Sequence, residues 1–352
     1  MAESAYAAAG VDIVAGERAV ELMKASVAAS RRPEVIGGLG GFAGFFDASA
    51  LAGYRRPVLA TSTDGVGTKV AIARALGVYD TIGWDLVGML VDDLVVTGAE
   101  PLFVTDYIAC GKVHPERIAA IVGGIAAACT AAGASLLGGE TAEHPGLMDA
   151  EDFDVAGATT GVVEYDDILG PDRVVAGDVV LALASSGLHS NGYSLVRSVF
   201  ATAGWGLDRE VPELGSTLGE ALLTPTRVYA RELLAVIRAS EVHSISHITG
   251  GGLANNLVRV VPDGIGVDLD RSTWTPPAVF GLVQDVGGVS TPDIEATLNQ
   301  GVGMALILPE ASVAAALEAL SGTGIQAWVA GTTVAEPGRP ARVDLHGVHP
   351  AR

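Results

Sequence analysis

Short apolar runs that close on glycine and a carboxylate recur along this chain, and that pattern constrains its fold more than any other feature. Residues 58–63 lead into Asp64-Gly65, residues 134–137 lead into Gly138-Gly139-Glu140, and residues 102–108 carry Asp106. Runs of this length read as strands. Between them, apolar residues fall at helical spacing, with Leu86, Leu90 and Leu94 beside Val87, Val91 and Val95 over residues 84–98. Pro115 and Glu116 open a second helix that runs to residue 132, where Gly133 stops it. Residues 153–163 read as a strand or hairpin. Such alternation, with 46 glycines for turns and close approaches, calls for α/β or α+β layering rather than a helical bundle.

A length of 352 residues favours two domains. The turn cluster Leu169-Gly170-Pro171-Asp172 places the boundary, giving domains 1–170 and 171–352. Beyond it, strands are expected at 178–184, 302–308 and 325–334. Helices are expected at 191–203, 225–239, from Gly252 to Val260, and at 311–320. The Pro- and His-bearing stretch 337–352 reads as a loose tail.

The formal net charge is −20, which repels phosphate backbones and argues against nucleic-acid binding. An acidic chain that handles an anionic substrate needs metal ions, a few lysines or backbone N–H groups to compensate locally. Cys110 and Cys129 form no CxxC, so a structural zinc site and a disulfide scaffold are not expected; two thiols in a long chain fit a reducing cytosol. The first residues lack the basic-then-apolar pattern of a signal peptide. Residues 118–139 carry no charge, but their Ala- and Gly-rich composition fits a buried helix and strand rather than a membrane span.

Four segments can carry chemistry. Asp64-Gly65-Val66-Gly67-Thr68-Lys69 follows a strand; its glycines admit phosphate oxygens, Asp64 suits magnesium and Lys69 adds positive charge. It is neither a Walker loop nor a dinucleotide fingerprint, and an ordinary strand-to-helix turn fits it equally. Asp92, Asp93, Asp106 and Glu140 interrupt or follow apolar runs, where unpaired acids are costly. Each alone suits a solvated face or a cap; together in one domain they suit magnesium, which takes oxygen ligands. Residues 185–193 set His189 among Ser190, Asn191 and other small residues just before a helix, where an anion or a mobile proton can be served. His247-Ile248-Thr249-Gly250-Gly251-Gly252 has the size of a phosphate nest, with a flexible linker as the competing reading.

Taken in order, these segments resemble the phosphoribosylformylglycinamidine cyclo-ligase family over nearly the whole chain. The resemblance begins with YAAAGVDIVAG from Tyr6 and RPEVIGGLGGF from Arg32. It continues through STDGVGTK from Ser62, GAEPLFVTDY from Gly98 and GGETAEHPG from Gly138. It ends with SSGLHSNGYSLVR from Ser185, LLTPTRVY from Leu222 and HITGGGL from His247. The resemblance implies a two-domain PurM-like fold, an N-terminal domain that completes a β-barrel across a homodimer, ATP at the cleft, and a C-terminal α/β domain. It implies the reaction of formylglycinamidine ribonucleotide with ATP to give aminoimidazole ribonucleotide, ADP and phosphate in the cytoplasm, through an iminophosphate. It places magnesium and triphosphate on Asp64, Asp93 and Glu140, and phosphate contacts on Lys24, Gly65, Gly67, Thr68 and Lys69. His189, Ser190 and Asn191 then line the reacting centre, and His247 with Gly250, Gly251 and Gly252 lies near substrate phosphate or ring; His189, Asn191 and His247 are the catalytic candidates.

Asp92 stands where that family usually has Asn, so either Asp92 or Asp93 can face the metal; His144 replaces a usual Met. Selenophosphate synthetase would need a reactive Cys in the early Gly-rich segment, and the first cysteine here is Cys110. The hydrogenase-maturation relative would end in Cys, and a thiamine-phosphate kinase would lack the GGETAEHPG and LHSNGYS pair. A catalytically dead nucleotide-binding regulator is the reading from another class, and the intact acids weigh against it.

Overall fold

The computed structural model describes residues 12–38 and 40–351. Tyr6 to Val11 of the opening segment, and Leu39, lie outside them. The chain divides into two compact units, the first taking residues up to Leu94 and Ala99–Tyr165, the second Val95–Gly98 and everything from Asp166.

The first unit opens with helix α1 (Ile13–Ala29) and a small antiparallel pair, β1 (Val35–Ile36) and β2 (Phe45–Phe46). Then come β3 (Pro57–Gly65), α2 (Val70–Leu76), α3 (Ile82–Val95), β4 (Glu100–Cys110), α4 (Pro115–Ala132), β5 (Ser135–Glu143) and β6 (Phe153–Glu164). The sheet order is β3-β6-β4-β5. β6 runs antiparallel to both β3 and β4, whereas β4 and β5 are parallel and joined through α4, as parallel strands require. Both apolar stripes of α3 are buried, Leu86, Val87, Leu90, Val91, Leu94 and Val95 alike, so most of its surface lies in the core. Leu86 and Leu90 press on β6 at Gly157, where any side chain would collide with them. α4 begins with Pro at its first turn and ends on Gly133 at φ 81°, the left-handed residue that stops a helix. It is long and apolar enough to cross a membrane, yet half of it is buried within this unit, and α1 packs along it. β3 alternates exposed and partly buried positions, the period-2 signature of a strand covered on one face.

The second unit contains β7 (Val179–Ala184), α5 (Tyr193–Thr202), β8 (Glu210–Val211), β9 (Ser216–Thr217), α6 (Leu218–Leu222), α7 (Ala230–Ala239), β10 (Ser244–His247) and α8 (Gly252–Leu257). It continues with β11 (Ile265–Asp270), α9 (Ala278–Gly287), α10 (Thr291–Glu295), β12 (Val302–Leu308), α11 (Val313–Leu320), β13 (Ala327–Ala335) and β14 (Arg342–His346). Six strands form its main sheet in the order β10-β12-β7-β13-β11-β14, with β8 and β9 a separate hairpin. β7 and β12 are buried nearly throughout, so they read in the sequence as continuous apolar runs. Val180, Ala182, Ile307, Val267, Leu269 and Trp274 belong to one core cluster.

Three expectations change. Gly138, Gly139 and Glu140 do not follow a strand but lie within β5, which continues to Glu143. The helix expected from residue 225 starts at Ala230. The tail is not loose: β14 pairs in parallel with β11, and Arg342 ties it down through Asp268 and Asp344 at 2.7 Å and Glu336 at 2.6 Å. His349 sits edge-on to Trp274 and bonds the carbonyls of Arg271 and Trp274. A short strand of alternating charge carries too little apolar signal to be read as one.

Candidate functional site

In the first unit, strand register sets the acids of the sheet in two adjacent rows. Asp64, Gly157, Asp106 and Gly139 form one row across β3, β6, β4 and β5; Gly65, Ala156, Tyr107 and Glu140 form the next. Asp64 and Glu140 are exposed. Asp64 accepts the N–H of Gly65 at 2.7 Å, which shapes the entry to the loop that follows β3. In that loop Gly67 is exposed at φ 72° and Thr68 is exposed, whereas Lys69 is fully buried in an ion pair with Asp85 at 2.7 Å. Burial pushes the Lys69 ammonium below its ordinary value, and the Asp85 carboxylate opposes that shift. The lysine therefore anchors the loop to α3 from beneath. Asp85 lies 16 residues further on, and only its place in the first turn of α3 makes it a partner.

Burial separates the two neighbouring acids of α3. Asp92 is 0% exposed, and Asp93 is exposed. Only Asp93 presents a carboxylate to solvent. Lys24, on α1, is exposed and bonds Glu21 at 2.5 Å. Glu143 holds the start of α1 in place, accepting the N–H groups of Asp12 and Val113 at 2.6 Å each.

The acids do not make a closed metal cage. Among the described residues, the one group of three His, Cys, Asp or Glu ligand atoms within 4.8 Å of one another is Asp268, Asp344 and His346, and Arg342 already bridges its two acids. Asp64, Asp93 and Glu140 are wider apart. Each offers a hard oxygen donor open to solvent, the kind that magnesium takes when waters and phosphate complete its shell.

Asp106 differs from the other acids. Its Oδ2 is shut away from solvent with no hydrogen-bond partner among the described residues. Desolvation pushes its carboxyl up to about 7, against the pull of its own backbone N–H. Gly139 is glycine for a local reason, since any side chain there would collide with Asp106 Oδ1.

In the second unit, the loop after β7 is built around His189, buried and at φ 61°, a backbone conformation uncommon outside glycine. Its Nε2 accepts the N–H of Ser186 at 3.2 Å, which leaves the proton of the neutral ring on Nδ1. Tyr229 stands 6.1 Å away ring to ring and donates to the Ala184 carbonyl at 2.7 Å. Gly303 on β12 is bare because a side chain would strike both Tyr229 and His189. Ser190 is buried, Asn191 partly so, and the side chain of Asn191 lies over Gly250. The structure thus brings His189, Asn191 and the glycine segment into one neighbourhood. His247 ends β10, opposite Met304 on β12, and is buried.

The three-glycine segment is an ordered turn, not a linker. Gly251 and Gly252 have φ 99° and 73°, and a side chain on Gly252 would collide with the Glu295 carbonyl. Asn256 clamps the turn, its Nδ2 donating to the carbonyls of Thr249, Gly250 and Gly252 at 3.2, 3.1 and 2.8 Å. Asn299 does the same for the first loop, donating to Gly187 at 2.9 Å and accepting from the Gly301 N–H at 2.8 Å. Neither Asn emerged from the sequence; the signal was a lone amide on the buried side of a short apolar stretch.

Comparison with known proteins follows this geometry. The domain family described as AIR synthase related protein, N-terminal domain, matches residues 47–163, and its C-terminal domain counterpart matches residues 175–344. The chain is 49% identical over 329 residues to the phosphoribosylformylglycinamidine cyclo-ligase of Shouchella clausii, covering 93% of this chain and 95% of that one. It is 49% identical over 326 residues to the enzyme of the same name from Desulfitobacterium hafniense, with the same coverage. Among solved structures, the thiamine-monophosphate kinase of Stenotrophomonas maltophilia superposes with TM-score 0.68 at 17% identity, covering 93% of this chain and 96% of that one. HypE of E. coli, a hydrogenase maturation protein, superposes with TM-score 0.64 at 19% identity, covering 93% and 92%. At such identities these two structures share the fold alone.

Proposed function

The chain belongs to the phosphoribosylformylglycinamidine cyclo-ligase family, and on that footing we propose that it uses ATP to close formylglycinamidine ribonucleotide into aminoimidazole ribonucleotide, releasing ADP and phosphate in purine biosynthesis. The observation that carries this reading is near-half identity across 93% of the chain. The chemistry has a clear physical logic. The formyl oxygen is a poor leaving group; once phosphorylated to an iminophosphate it leaves as phosphate when the amidine nitrogen attacks the formyl carbon. Charge builds on the transferring phosphoryl group, so fixed donors and cations aimed at it lower the barrier.

Asp64, Asp93 and Glu140 are the residues that would hold magnesium, which neutralises phosphate charge when bound. The exposure of Asp93 and the burial of Asp92 support Asp93 in this role. Gly65, Gly67 and Thr68 offer the triphosphate an open backbone, and Lys24 adds the exposed cation that an acidic chain needs. The burial of Lys69 gives it a different part, holding the loop in shape through Asp85. His189, with its proton on Nδ1, is a neutral donor for the reacting centre; Ser190, Asn191 and His247 line that centre, and Gly250, Gly251 and Gly252 receive the ribotide. The two free, buried cysteines accord with work in the cytoplasm. The chain acts as a homodimer.

The test is ADP release with and without formylglycinamidine ribonucleotide. Substrate-stimulated ADP is expected, with turnover lost in Asp64→Asn while its melting temperature stays near wild type. ADP release indifferent to the ribotide would overturn the reading, and full turnover by Asp64→Asn would remove that residue from the metal site.

A further inference from the structure

In the second unit, residues 295–301 back both loops of the candidate reacting centre. The Glu295 carbonyl lies where a side chain on Gly252 would stand, and the Leu298 side chain lies where one on Gly192 would. Asn299 donates to the Gly187 carbonyl at 2.9 Å, and the Gly301 carbonyl accepts the Ser185 N–H at 2.9 Å. A shift of this segment therefore moves both loops, because neither glycine has a side chain that could yield at the contact.

The turn that follows β11 holds the segment from behind. Arg271 grips the Glu295 carboxylate with two bonds, at 2.7 and 2.8 Å, a geometry that fixes direction as well as charge. Trp274 donates its indole N–H to the Gln300 carbonyl at 3.1 Å. Gln300 needs that support, since it is buried at φ 52°, where a residue with a side chain is strained. His349 closes the turn in its place. Its Nδ1 lies 3.0 Å from the Arg271 carbonyl and 3.2 Å from that of Trp274, and its ring stands edge-on to the Trp274 indole with centroids 4.6 Å apart. Carbonyls only accept, so Nδ1 carries the proton. Nε2 is shut away from solvent with no hydrogen-bond partner among the described residues, which suits a neutral ring. Burial pushes the imidazole below its ordinary value, in the same direction. Val348 and Pro350 on either side are exposed, so His349 is the point at which this stretch is pinned.

We propose that His349 is a positioning residue for the ribotide: pinned to the backbone of Arg271 and Trp274, it fixes residues 295–301 and, through them, the spacing of the two loops. The assignment rests on the placing of the ribotide at those loops under the function above. The experiment compares, in the full chain, His349→Ala with His349→Asn, whose side-chain N–H can stand in for that of Nδ1. The first arm is amide hydrogen exchange and needs no substrate. His349→Ala is expected to exchange about tenfold faster over residues 185–192 and 249–252 while β12 keeps its wild-type rate, and His349→Asn to recover most of the protection. The second arm is steady-state kinetics. In His349→Ala, KM for formylglycinamidine ribonucleotide should rise about three- to tenfold and kcat should change less. KM for ATP, whose proposed ligands lie in the first unit, should stay within about twofold of wild type, and His349→Asn should bring the ribotide KM back. Unchanged exchange at the two loops would overturn the proposal, as would faster exchange with an unaltered ribotide KM. A His349→Ala chain that fails to fold, exchanges faster in β12 as well, or raises both KM values alike marks a merely structural residue and overturns it too. If wild type shows no ribotide-stimulated ADP release, the function falls, and the exchange arm still decides whether His349 holds the loops.

Discussion

Lys69 and Asp106 show two ways in which this chain keeps a charged residue out of water. Lys69 is fully buried and has Asp85, itself fully buried, at 2.7 Å. Asp106 has an oxygen with no such partner among the described residues. The first is a structural pair: taking two charges from water is expensive, their attraction at short range offsets the cost, and removal of one partner strands the other. Lys69→Met should therefore destabilise the chain by about 3–5 kcal/mol, read as a drop in the urea midpoint, while the Lys69→Met/Asp85→Leu double variant should lose clearly less. A double variant worse than the single one would show that the two side chains are not held chiefly by each other. The sequence announced Lys69 by its place beside two glycines, as if it pointed outward at phosphate. Its direction was not legible there, because the acid that turns it inward sits on another element.

Elements with strong local stop signals were legible to the residue, and those defined by tertiary pairing were not. α4 runs from Pro115 to Ala132 as its proline start and glycine stop require, and β12 occupies 302–308 as its apolar run requires. β10, β11 and β14 escaped, because His247, Asp268 and Asp344 break the apolar pattern and only pairing with β12, β13 and β11 makes them strands. That Asp64, Asp106 and Glu140 belong to strands was legible, since each adjoins or interrupts a short apolar run. The rigidity of the 249–252 turn was not, because it depends on Asn256 reaching back from α8 to three carbonyls. Asn256→Leu keeps the volume and removes the donors. It should cost about 1–3 kcal/mol in stability and lower turnover by roughly tenfold or more, since the carbonyls lose their partner and the turn its shape. Measuring kcat beside the urea midpoint separates the two effects; unaltered kcat in a folded variant would detach this turn from the reacting centre.

At the scale of the whole molecule, a net charge of −20 and an uncovered sheet pull in opposite directions. Copies of like net charge repel, which favours association through apolar surface. The sheet of the first unit offers such surface. β3 is an edge strand whose outer row is exposed, Leu59 is 62% exposed, and Tyr107 on β4 is 42% exposed. An edge with apolar side chains and unpaired backbone groups is a template for a second strand, and soluble chains usually blunt such edges with charge or proline. Here proline occurs only at the first position of β3 and its one charged residue, Asp64, stands next to its end, so the middle of the strand carries neither. That composition is what a strand destined for pairing between two copies would have. Leu59→Asp places a charge in the seam and should convert a dimer to monomers in sedimentation at micromolar concentration. Raising salt should leave the wild-type dimer intact or tighten it, because screening removes repulsion and does not weaken apolar contact. A wild type that sediments as a monomer, or a dimer that survives Leu59→Asp and falls apart in salt, would place the association on a different surface held by opposite charges.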